Sequence, residues 1–223
     1  MNNHFFHCVN RGVEKRDIVT NEKDRDRFAL SLALLNSSKT VYNMQEKMED
    51  FSLDIGSRVD CLVHVHGWCL MKNHYHLLLS PVVEYGVSRF LQKLNIGYTK
   101  YFNVRHERTG VLFQGKTKKV PILDDRHLFY ILHYIHANPL DTQPDTHQWR
   151  NHAMLNKEKA TTVLGNYPWS SYRAYTQNIN DGITDTTFFN ELFNENGDSY
   201  KKNFSSFLKE RVLENPFSQK ELE

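Results

Sequence analysis

The chain has 223 residues, 39% of them hydrophobic and 13% aromatic, which excludes a disordered polymer and allows one main core with a smaller appendage. No apolar run approaches the length of a bilayer span, and the opening MNNHFFHCVNRG has none of the parts of a secretory signal. With three cysteines (Cys8, Cys61, Cys69) no paired disulfide framework is expected, so the expected setting is a reducing cytoplasm away from any membrane.

The net charge of +2 conceals an uneven distribution. Residues 86–120 hold eight bases (Arg89, Lys93, Lys100, Arg105, Arg108, Lys116, Lys118 and Lys119) against Glu107, a balance of +7, whereas nine acids and five bases from Asp181 onward give −4. A concentrated cationic surface suits a phosphate-bearing partner. A solvated helix face beside a charged edge strand would account for the same residues.

Residues 4–10 alternate and stop at Arg11-Gly12, which predicts a strand and a turn. Asn21 can cap a helix through residue 36, with Phe28, Leu32 and Leu35 at helical spacing. Residues 36–57 are polar, with a short helix suggested near 44–51. Extended runs at 59–71 and 74–80, joined by Lys72-Asn73 and closed by Pro81, predict adjacent antiparallel strands. Leu91, Leu94, Tyr98 and Tyr101 predict a helix over 87–103, and residues 111–122 read as a strand. Asp124 or Asp125 then caps a helix with Leu128, Ile131, Leu132 and Ile135 on one stripe, ended by Pro139. This order predicts an α+β domain, an antiparallel sheet with helices packed on one side, over residues 1–139. Residues 140–223 form a C-terminal extension, irregular over 141–166, with a helical turn at 169–175 and helices at 186–193 and 200–212.

Within WCLMKNHYHLLLSP (residues 68–81), strand alternation points His74 and His76 to one face and Tyr75 to the other. Two imidazoles on one face can hold a metal ion, though two histidines also share a strand face for ordinary reasons. Tyr134 and Asn138, four apart on the last helix, lie together on the flank of its apolar stripe, so a phenol and an amide oxygen can overlook the sheet. His74, His76 and Asn138 would make a mixed nitrogen and oxygen site for a hard divalent cation. Asn138 precedes proline, which biases it away from helical angles. Such a cation beside a tyrosine polarises a phosphodiester for attack by the phenol, leaving a covalent phosphotyrosine that conserves the bond for rejoining.

Other residues invite rival readings. Cys61, His64, His66 and Cys69 have zinc-like spacing, but strand alternation puts the histidines on one face and the cysteines on the other. Tyr98 and Tyr101 belong to an apolar stripe, Tyr130 shares part of the Tyr134 flank, and His133 and His136 are expected at the surface or in hydrogen bonds. Arg11, Lys116, Lys118 and Lys119 are candidates for phosphate contacts, although Lys119 points opposite to its neighbours and charged residues also protect sheet edges.

CLMKNHYHLLLS resembles the histidine motif of the single-tyrosine HUH transposases, and YIHANP (residues 134–139) resembles the tyrosine motif of their REP-associated branch. The resemblance extends to VNRG, FLQKLNIGYTKYFN, GVLFQGKTKKV and YPWSSYRAY, and so to about Tyr175. Lys72 departs from the proline usual before the asparagine. The resemblance implies a ferredoxin-like HUH fold and a nuclease and strand transferase on single-stranded DNA near hairpins, such as REP-like palindromes. Tyr134 would form a 5′-phosphotyrosine, and His74, His76 and Asn138 would hold Mg2+ or Mn2+. A monomer and a homodimer are both compatible with the sequence. Two alternatives share the basic surface: a non-catalytic binder of structured single-stranded nucleic acid, and a phosphodiesterase in which water attacks.

Overall fold

The computed structural model describes residues 4–39, 60–146, 149–150, 156–192 and 196–210. Strands β1 (Phe6–Arg11), β2 (Val63–Leu70), β3 (His74–Pro81) and β4 (Lys118–Pro121) form one antiparallel sheet in the order β2-β3-β1-β4. Side-chain alternation divides β3 into a face with Tyr75, Leu77 and Leu79 and a face with His74, His76 and Leu78. The register His7↔Leu78, Val9↔His76, Arg11↔His74 places those three β1 residues on the second face.

Helices α1 (Glu22–Leu34) and α2 (Gly86–Arg105) cover the first face. Asn21 caps α1 by accepting a hydrogen bond from the Asp24 amide at 3.1 Å. Phe28 and Leu32 of α1 and Phe90, Leu91, Leu94 and Tyr98 of α2 share a core with Cys8, Tyr75, Leu77 and Leu79.

Helix α3 (Asp125–Ala137) lies against the second face. Asp124 caps it, accepting from the His127 amide at 2.7 Å, and Leu128, Ile131, Leu132 and Ile135 meet Leu78 and Cys69. A Cβ added at Gly67 of β2 would come within 2.8 Å of Leu132 Cδ1, so the bare glycine permits the close approach of α3. The α+β class is the expected one, with α1 and α2 together on one side. The second side is covered as well, because Leu78 and Cys69 make it apolar too.

After α3 come a 3-10 turn (Asn138–Thr142) and helices α4 (Lys157–Gly165), α5 (Tyr172–Thr176), α6 (Thr187–Leu192) and α7 (Gly197–Glu210). Their buried residues, among them Leu164, Tyr172, Phe189 and Phe204, join the core under α3. The chain here also bonds to the edge of β2: Leu70 N–H donates to Trp169 O and Ser171 N–H to Trp68 O, both at 3.0 Å.

Two elements differ from the sequence expectation. The strand read over 111–122 is confined to β4, because Gly110 and Gly115 take φ values of +83° and +68°, and only a bridge from Phe113 to Gly12 precedes it. Lys116 therefore lies in a turn. The stretch read as irregular contains α4, whose buried side chains are only Ala160 and Leu164, too few to give a clear period, although Asn156 caps it. The helix suggested near 44–51 and the end of the one expected over 200–212 lie outside the described residues. Among the described residues no helix is long and apolar enough to cross a membrane.

Candidate active site

The second face of the sheet carries a continuous polar cluster under α3. The rings of His74 and His76 are 4.9 Å apart, centroid to centroid, and His76 is 5.6 Å from the ring of Tyr134, edge on. Strand alternation and the packing of α3 thus bring His74, His76 and Tyr134 together. Tyr75 points into the first core, fully buried, with its hydroxyl on Asn95 Oδ1 at 2.8 Å. Burial pushes that phenol well above its ordinary value, as expected of a packing residue.

Each histidine has its Nδ1 engaged. Asn73 Oδ1 is 2.7 Å from His74 Nδ1, and His7 Nε2 is 3.0 Å from His76 Nδ1. Burial, then Arg11 and Arg150, brings His74 down to about 4. Burial likewise holds His76 well below the ordinary range, aided by His74, His7, Arg150 and Arg11. Both rings are therefore neutral at pH 7, and a partner fixed on Nδ1 leaves Nε2 as the nitrogen that could take a metal.

Asn138 keeps helical angles (φ −52°, ψ −40°) despite the following proline, so the four-residue step from Tyr134 is maintained. Its Nδ2 donates to Tyr134 O at 2.8 Å, closing the helix end and fixing the amide so that Oδ1 is its acceptor. Among the described residues no cluster of three or more His, Cys, Asp or Glu could hold a metal. Two neutral imidazoles and one oriented amide oxygen fit a divalent ion. Asn138 Oδ1 already accepts from Arg150 Nη2 at 3.0 Å, so an ion would share that oxygen with a guanidinium.

Three residues of this cluster were not picked out in the sequence: His7, Asp141 and Arg150. Arg150 Nη1 donates to Tyr134 Oη at 2.8 Å, and Asp141 holds the same guanidinium through Nη2 at 2.7 Å and Nε at 3.1 Å. Burial opposes the charge on Arg150, but Tyr134 and Asp141 outweigh it and its pKa is raised. Period-two alternation with Arg11 was a signal for His7, once β1 is paired with β3. Arg150 and Asp141 lie in a stretch without periodicity and left none.

The expected phosphate-binding residues divide. Lys118 pairs with Val9, and Arg11 with His74, so both occupy the face of the histidines. Lys119 pairs with Cys8 on the opposite face and donates to Ser88 Oγ at 2.7 Å, and Lys116 is exposed in its turn. The zinc-like set does not converge: His64 Nδ1 meets Asp185 at 2.7 Å, His66 Nε2 meets Ser80 Oγ at 2.8 Å, and Cys69 is buried under α3. Tyr98 is a core residue. His136 is fully buried and hydrogen-bonded, while His133 is buried among Phe129, Tyr200, Phe204 and Phe207, away from the surface.

No curated protein matches this chain significantly. Among solved structures it is similar to a REP-associated tyrosine transposase bound to a REP hairpin, at 12% identity and a TM-score of 0.46, covering 83% of this chain and 89% of that one. A family model described as "Transposase IS200 like" matches residues 1–138, well over half of the chain and inclusive of His74, His76, Tyr134 and Asn138. The chain belongs to the IS200-like transposase family.

Proposed function

We propose that this transposase cleaves and rejoins single-stranded DNA beside hairpins of the REP-like palindromic kind, with Tyr134 as the nucleophile. The observation that carries this reading is the 5.6 Å approach of the Tyr134 ring to His76, with Asn138 one turn further along the same helix. In the forward step Tyr134 Oη attacks phosphorus and the P–O3′ bond breaks. The phenolic proton passes to solvent and the 3′-oxygen takes one up, leaving a 5′-phosphotyrosine and a 3′-hydroxyl. Rejoining is the reverse, with a 3′-hydroxyl as the attacker and Tyr134 as the leaving group.

His74, His76 and Asn138 would hold Mg2+ or Mn2+, which when bound neutralises charge growing on the non-bridging phosphate oxygens. Asn73 and His7 orient the two imidazoles, and Asn138 Nδ2, anchored on Tyr134 O, orients its amide oxygen. Arg11 and Lys118, on the same face, would attract the strand's phosphates.

The test is to incubate the protein with labelled hairpin-bearing strands and Mg2+ or Mn2+ and to look for a covalent adduct on denaturing gels. Wild type should form it and Tyr134→Phe should not; an adduct with Tyr134→Phe would refute the nucleophile. One observation favours a second reading, a hairpin-binding protein without turnover: Tyr134 is 0% exposed. Hairpin binding with no adduct under any metal would establish that reading instead.

A further inference from the structure

We infer that Arg150 is a catalytic residue of this site, the fixed positive partner of the oxygen that attacks and later leaves. The inference rests on the nuclease reading above and extends it to a residue beyond the segment matched by the family model, which ends at 138.

The guanidinium bonds to three groups at once. It donates from Nη1 to Tyr134 Oη at 2.8 Å, from Nη2 to Asn138 Oδ1 at 3.0 Å and to Asp141 Oδ2 at 2.7 Å, and from Nε to Asp141 at 3.1 Å. Its carbon lies 5.0 Å from the centre of the Tyr134 ring and 4.5 Å from that of Trp149, whose Nε1 donates to Asp141 Oδ1 at 2.6 Å. A planar cation held by a carboxylate on one edge and an indole on one face cannot rotate away without losing several bonds. Only 27% of the side chain is exposed, so its field is little screened.

This arrangement suits the reaction in both directions. As Tyr134 Oη attacks, negative charge leaves the phenol oxygen for the phosphate; when the strand is rejoined the same charge returns to it. A donor fixed beside that oxygen stabilises it as departing phenolate and orients its lone pairs during attack, with no reorganisation at the moment of bond exchange. The contact with Asn138 ties the nucleophile and the amide oxygen to one rigid fork. Asp141 is the positioning residue behind it. A clamp that merely tied Arg150 to the end of α3 would need Asp141 and Trp149 but not a donor on Tyr134 Oη.

The test measures single-turnover adduct formation, and its reversal on addition of a 3′-hydroxyl strand, using labelled hairpin-bearing strands with randomised flanks and Mn2+. Wild type, Tyr134→Phe, Arg150→Ala, Arg150→Lys and Asp141→Asn are compared. Arg150→Ala should slow both directions roughly 10²-fold, with hairpin affinity unchanged, and guanidinium ion at low concentration should restore part of the rate. Arg150→Lys, keeping the charge without the fork, should fall between, as should Asp141→Asn. Wild-type rates in Arg150→Ala, or a loss that guanidinium does not restore and that lower thermal stability accounts for, would overturn the inference while leaving Tyr134 as nucleophile. Absence of any adduct from wild type would overturn the nuclease reading, and this inference with it. If Arg150→Ala fails to fold, Arg150→Lys decides: rates equal to wild type in both directions overturn the role of the fork.

Discussion

His7 and His76 are joined across β1 and β3, with His7 Nε2 at 3.0 Å from His76 Nδ1 and the two rings nearly parallel at 12°. For His76 to bind a metal through Nε2, its Nδ1 must carry the proton and donate it to His7. His7 is therefore expected to set the tautomer and the ring angle of the ligand, as a partner behind a metal-bound histidine does. His7→Ala should lower metal-dependent adduct formation roughly 10- to 100-fold at limiting Mn2+, with much of the loss recovered at saturating Mn2+. Titrating adduct formation against Mn2+ checks this, and an unchanged midpoint would remove His7 from the site.

Binding and cleavage should be separable by mutation. His76→Ala should abolish the adduct yet leave hairpin affinity within a few-fold, because phosphate contacts by basic side chains carry most of the affinity. Among those side chains the sheet makes a sharper distinction: Arg11 and Lys118 share the face of the histidines, whereas Lys119 is turned to Ser88 beside α2. Arg11→Ala and Lys118→Ala should each reduce the slope of log affinity against log salt by about 1, and Lys119→Ala should leave it unchanged. Fluorescence anisotropy at several salt concentrations measures all three, and an effect of Lys119 equal to that of Lys118 would contradict the assignment of faces.

The sequence made legible those parts of the site that follow from a repeating geometry. Alternation in β3 aims His74 and His76 together, and the helical step aligns Tyr134 with Asn138, so both pairs can be read before any strand is paired. What had no local signal depends on pairing or on turns. His7 reaches His76 only through the β1 and β3 register, and Arg150 reaches Tyr134 from a stretch of sequence that no periodicity describes. Alternation already turned Lys119 away from Lys118, but which of the two shares the face of the histidines follows only from the pairing of β4 with β1. Of the helices after residue 139, α6 and α7 were legible as amphipathic stretches and α4 was not, and the face of the sheet they complete had no signal at all.

Tyr200 of α7 is fastened to α3 by a buried bond: its hydroxyl is 2.5 Å from His136 Nδ1, while His136 Nε2 meets Ser171 Oγ at 2.6 Å. Removing the hydroxyl leaves a fully buried ring nitrogen without that partner. Tyr200→Phe should therefore destabilise the protein by about 1–3 kcal/mol, seen as a lower midpoint of urea unfolding. Tyr85→Phe, at a side chain 73% exposed, should change nothing measurable. Equal midpoints for Tyr200→Phe and wild type would mean that the bond contributes no net stability to the docking of α7.

Acid should destabilise this fold before its carboxylates titrate. Burial brings His133 down to about 3, and it brings His66 down to about 4 although Asp185 pulls the other way. An unfolded histidine titrates near about 6.5, so between that value and the folded ones the unfolded chain binds more protons than the native one. The sign follows: stability is fully present above about pH 6.5, falls as pH drops, and stops falling from this cause below the folded values, at up to about 1.4 kcal/mol per pH unit for each histidine. Asp24 acts in a lower window. Burial would raise it, but bonds from Thr20 and His106 outweigh burial and hold it below the ordinary carboxylate range, so its contribution is lost only as pH falls below about 4. His133→Phe retains an aromatic ring among Phe129, Tyr200, Phe204 and Phe207 and removes one of these protons. Urea unfolding of the two proteins at about pH 7.5, 6 and 5 should show similar stability at the first and a growing advantage for the variant at the others. Parallel curves would show that His133 is not held neutral by burial.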